Sequence, residues 1–103
     1  MSTSVSSCSA LITKHFQLPE EELASFQSSE QALEEALTSI INNLLNQDMT
    51  RLLNAFYKID LDEVKFKKIL STTAPDQIAA TLAREVVKRE MQKVKTREKY
   101  RNI

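Results

Sequence analysis

The chain contains no glycine anywhere in its 103 residues, and that absence prunes the folds open to it more than any residue it does contain. Tight two-residue β-hairpins need positive φ, which Gly or Asn supplies at least cost, so a sandwich or barrel built from many such turns is disfavoured. Phosphate-cradling loops of the G-x-G-x-x-G or P-loop kind are excluded outright. A helix needs no glycine in its interior, and the apolar spacing points that way throughout.

From Leu33 the apolar residues Ala36, Leu37, Ile40, Ile41, Leu44 and Leu45 recur at steps of three and four. That is the stripe of an amphipathic helix, and Ser28 with Gln31 forms a capping box before it. Asn46-Gln47-Asp48 interrupts the stripe, and Met49, Leu52, Leu53, Phe56 and Tyr57 resume it nearly in phase. Either one helix spans about 29–58 or Asp48 caps a second one. With no Gly or Pro to break it, the continuous or merely kinked helix is preferred. Asp60 with Glu63 reads as a further capping box, opening a short helix over 61–71. Pro75 and Asp76 suit the first turn of a last helix over 75–97, whose stripe runs Ile78, Ala79, Leu82, Ala83, Val86, Val87, Met91 and Val94.

Upstream, residues 1–9 are rich in Ser and Thr and read as a disordered lead-in. Ser9 then caps a short helical segment, Leu18-Pro19 stops it, and Leu23 and Phe26 face inward together. The fold class expected is all-α: a small bundle of two long helices and one short one, with a short helical N-terminal segment. Residues 10–103 form a single domain with a basic C-terminal helix end.

Chemistry-bearing clusters are few. Cys8 and His15 lie seven residues apart without further soft ligands, so neither zinc nor a Cys/His nucleophile is expected. His15 reads as half-buried and Cys8 as solvated. Asp60-Leu61-Asp62-Glu63 resembles the start of a calcium loop, but Val64, Lys65 and Ser71 stand where the pattern needs an oxygen ligand, Gly and Glu. No catalytic, cofactor or metal residue is assigned, and the chain reads as non-enzymatic. One cysteine makes no internal disulfide, and no segment approaches the roughly 18 apolar residues of a membrane span. The cytoplasm is the expected location.

Charge is unevenly placed. Residues 1–63 carry ten acidic and three basic side chains, and residues 64–103 carry four acidic and eleven basic, so halves of −7 and +7 sum to zero. The bland explanation sets an acidic helix beside a basic one. The sharper one is a polyanion or nucleic-acid site on Arg84, Lys88, Lys95, Arg97, Lys99 and Arg101. Of these, Arg84, Lys88, Lys95 and Lys99 fall within about 60° of one another on the last helix. A neutral domain with Tyr100 as the one nearby aromatic favours the bland explanation. Apolar surface left over on the long helix, at Ile41, Leu45 and Phe56, makes a second copy of the chain or another protein the expected partner.

The segments Leu52-Leu53-Asn54-Ala55-Phe56-Tyr57-Lys58-Ile59-Asp60 and Leu82-Ala83-Arg84-Glu85-Val86-Val87-Lys88-Arg89-Glu90-Met91-Gln92-Lys93 resemble stretches in small all-helical bacterial proteins of unassigned function. The resemblance covers about residues 30–100. It implies a small all-α cytoplasmic protein and carries over no catalytic residue. The reading is therefore a helical interaction or assembly module, with polyanion binding through the last helix as the first alternative and an enzyme whose site is built from scattered carboxylates and Tyr57 as the second.

Overall fold

The computed structural model describes residues 3–26 and 29–101. They form five α-helices and two single 3-10 turns: α1 Thr3–Phe16, α2 Glu30–Gln47, α3 Met49–Ile59, α4 Glu63–Thr72 and α5 Ile78–Arg101, with the turns at Ala24–Phe26 and Pro75–Gln77. The protein is an all-α bundle. α5 is the element around which it is arranged: α2, α1, α4 and α3 all pack on it, and α1 also lies against α3. One apolar cluster runs through all five helices.

The expected lead-in is not disordered over its described part. α1 begins at Thr3, and Val5, Cys8, Ile12 and Phe16 are buried along one face. Steps of three and four join them, but serines surround the stripe and Cys8 serves in it as a small hydrophobe. Ser composition hid the period. Ser9 is accordingly a buried interior residue and not a cap. α1 ends on Gln17 in the left-handed region, φ 57°, with the Leu18 amide donating to the Thr13 carbonyl at 2.9 Å. That is the closure a Gly usually makes. Beyond it Leu23 is buried, whereas Phe26 is turned outward.

Ser28, proposed as the cap of the long helix, lies outside the described residues. Ser29 does the work: its Oγ accepts from the Ala32 amide at 3.1 Å. The helix is not continuous to residue 58. Asp48 closes α2 by donating its amide to the Leu44 carbonyl at 2.8 Å, and opens α3 by accepting the Arg51 amide on Oδ1 at 3.1 Å. An aspartate offers the backbone this local alternative without needing Gly or Pro.

The next boundary shifts in the same way. Asp60 is the left-handed C-cap of α3, φ 64°, and Asp62 caps α4 by accepting the Val64 amide at 2.9 Å. Asp62→Ala should therefore cost about 1 kcal/mol, whereas Asp60→Gly, which relieves a positive φ, should cost nothing. Paired thermal melts check this, and the reverse order would put the cap back on Asp60.

Of the residues expected to self-associate, Ile41 and Phe56 are buried in this chain's own core and Leu45 is partly buried against it. α1 lies over the bundle and takes part in covering that surface. Phe56 sits between Phe16 of α1 and Phe66 of α4, with ring centroids 6.3 Å and 5.0 Å away and both pairs near edge-to-face.

Candidate functional site

Glu90 is the most unusual side chain in the fold. It lies on α5, is fully buried, and is bridged from two sides. His15 Nδ1 of α1 lies 3.0 Å from Oε2, and Lys93 Nζ donates to Oε1 at 3.1 Å. Lys93 also donates to the Ile59 carbonyl at the end of α3. Burying a carboxylate is costly unless it is paired and hydrogen-bonded, and here both oxygens are engaged. The network ties three helices together at one point. The sequence places Glu90 one turn before Lys93, which suggests only a surface i, i+3 pair.

The same contact fixes the only histidine. A carboxylate only accepts, so Nδ1 carries the hydrogen of this bond. Nε2 makes no bond to the described residues. No buried side-chain nitrogen or oxygen among those residues lacks a partner, so Nε2 reaches solvent. His15 lines a cleft of about 410 Å³ between the end of α1 and the outer side of α3, with Asp48, Thr50, Arg51, Asn54, Tyr57 and Lys58 on its walls. Arg51 is pinned there. Its Nε and Nη2 donate to the Phe16 carbonyl at 3.2 and 3.0 Å, and Nη2 to the Gln17 carbonyl at 2.7 Å. Those carbonyls end α1 unpaired within the helix, and a guanidinium is well suited to cap them.

Cys8 is buried, not solvated. Its Sγ lies 3.8 Å from the Val87 carbonyl. Burial first, then the charges of Glu90 and Glu30, push its pKa up to about 12. The native thiol should therefore resist iodoacetamide at pH 8 and react only as fast as the chain unfolds. Labelling at the rate of a free thiol in the folded state would contradict that.

The basic residues of α5 divide by neighbour. Arg84, Lys88 and Lys95 are exposed and share a surface groove with Glu30 and Glu34 of α2. Arg97 lines a different groove with Lys14 of α1, and Lys99 is exposed. The side chain of Arg101 lies outside the described residues. Glu85 of α5 meets Lys65 of α4 at 2.7 Å. That hydrogen bond to a carboxylate raises the Lys65 ammonium above the usual lysine range. The Glu90–Lys93 pair on the same helix lies inside the fold. Among the described residues no three His, Cys, Asp or Glu side chains gather to hold a metal ion, and no helix is long and apolar enough to cross a membrane.

Several large apolar side chains remain outside the core, Phe26, Val64 and Tyr100 among them, and three others share one helix. Met49, Leu53 and Tyr57 are 40%, 44% and 88% exposed. They stand at i, i+4 and i+8 of α3, an arc of about 80°, while Leu52, Ala55, Phe56 and Ile59 of the same helix are buried. In the sequence Met49, Leu52, Leu53, Phe56 and Tyr57 read as one continuous stripe, so periodicity alone did not separate the inward from the outward set. Searches against protein-family models, curated proteins and solved structures found no match to this chain.

Proposed function

We propose that this protein is a non-enzymatic helical interaction module that docks a partner protein along the outer face of α3. The observation that carries the reading is the exposed row Met49, Leu53 and Tyr57. Single exposed apolar side chains are ordinary, but three in line on one helix make a contiguous patch of the kind that marks interaction surfaces. Met and Tyr are among the residues enriched in the centres of such surfaces, and charged residues are depleted there. Arg51, which lies between Met49 and Leu53 in sequence, spends its guanidinium on the carbonyls that end α1, and Asp48 and Lys58 flank the two ends of the row. The residues first expected to mediate assembly are internal, so α3 replaces them as the docking surface.

Leu53→Asp puts a charge in the middle of the row without touching the core. The expected result is an unchanged melting temperature together with loss of a partner. If the occupant is a second copy, light scattering at micromolar concentration gives about twice 11.8 kDa for the wild type and 11.8 kDa for the variant. If it is another protein, tagged wild type purified from its own cell retains a bound protein that the variant loses. Equal masses and identical bound proteins for the two forms would overturn the reading.

A further inference from the structure

We infer that the cleft between the end of α1 and the outer side of α3 binds a small oxyanion, a phosphate or a carboxylate, held by His15, Arg51 and Lys58. This site goes beyond the docking surface: it shares Tyr57 with that row but not Met49 or Leu53.

Each ligand is prepared by something else in the fold. Arg51 spends Nε and Nη2 on the carbonyls of Phe16 and Gln17. Its Nη1 makes no bond to the described residues, so two N–H groups remain on a guanidinium whose plane is already set. Ordering a long cationic side chain before the ligand arrives removes much of the entropy that binding would otherwise cost. His15 is likewise oriented in advance: Glu90, itself fully buried, holds Nδ1 at 3.0 Å and leaves Nε2 at solvent. Lys58 is exposed on the cleft wall without an ion-pair partner among the described residues. Thr50, Asn54 and Tyr57 add neutral donors around the same space.

The charge balance also favours an anion. Arg51 and Lys58 line the cleft against one carboxylate, Asp48, whose Oδ1 already accepts the Arg51 amide. Glu90, behind His15, is paired with Lys93, so that buried carboxylate comes with its own cation. The volume of about 410 Å³ exceeds what one phosphate fills, so a small organic phosphate or carboxylate is the natural class.

His15 is the only histidine in the chain, so its imidazole NMR signals report on this cleft alone. The experiment titrates wild type, Lys58→Gln and Lys95→Gln with inorganic phosphate and, separately, with acetate. Chloride balances ionic strength and pH is held constant. The expected result is a saturable shift of the His15 signals in the wild type. Lys58→Gln should weaken the apparent affinity several-fold, while Lys95→Gln, on the α2–α5 groove, leaves it unchanged. Tighter phosphate than acetate assigns a phosphoryl ligand, and the reverse assigns a carboxylate. Shifts that do not saturate with either anion, or that are equal in all three proteins, would overturn the site. Both lysines are exposed, so neither variant endangers the fold. Repeating the titration in Leu53→Asp separates the two readings: the anion response persists whether or not the docking face is real.

Discussion

Phe56→Ala should lower the unfolding free energy by about 3–5 kcal/mol, enough to remove a large part of the stability of an ordinary small domain. The ring is 5% exposed and edges onto Phe16 and Phe66, so its loss leaves a void shared by α1, α3 and α4. None of the three helices closes that void without losing its other contacts, and relaxation is limited accordingly. Tyr57→Ala, one residue on and 88% exposed, should move stability by no more than about 0.5 kcal/mol. Urea titration of the two variants measures both values. A small effect at Phe56 would mean that α1 does not pack where the aromatic cluster puts it.

Lys93→Met should cost about 3–5 kcal/mol, because it leaves the Glu90 carboxylate buried with only an imidazole beside it and strips the Ile59 carbonyl of its donor. The size of the effect comes from the orphaned charge more than from the lost attraction. Adding Glu90→Gln to Lys93→Met should therefore recover part of the loss, since the amide needs no counter-charge. If the double variant is less stable than Lys93→Met alone, the carboxylate is not the source of the penalty. Lys67→Met, which removes an exposed i, i+4 partner of Glu63, is the control and should cost a few tenths of a kcal/mol.

The candidate site was the less legible part. His15 was read correctly as half-buried, but nothing in the spacing tied it to Glu90, 75 residues away. Glu90 follows the buried pair Val86 and Val87 and precedes Met91, so it stands at a position the 3.6-residue period places near the core face. A charged residue there, with a lysine one turn on, was the one available signal of a buried network on that face. Arg51 shows the same limit. It is one of only three basic residues in the first 63, yet its carbonyl partners belong to another helix, and no local rule brings them together.

What the sequence determined by itself was short-range. The absence of glycine, the apolar steps of three and four, and the Asp, Ser and Pro residues at helix starts define an all-α chain and the inward stripes of α2 and α5. Each of those signals acts within one or two turns, through backbone hydrogen bonds and the pitch of the helix. The tertiary structure decided what such signals do not encode. It drew a Ser-rich segment into α1, because a stripe of only Val5, Cys8, Ile12 and Phe16 becomes worth burying once α3 and α5 offer a surface for it. It broke the long helix at Asp48, where two separately capped helices both reach the core. It took Glu90 out of water because His15 and Lys93 arrive from opposite sides to bind its two oxygens. It also divided one apolar run on α3 into a buried half and an exposed half, since a stripe has a width in sequence but acquires an inside only when a neighbouring helix lies against it.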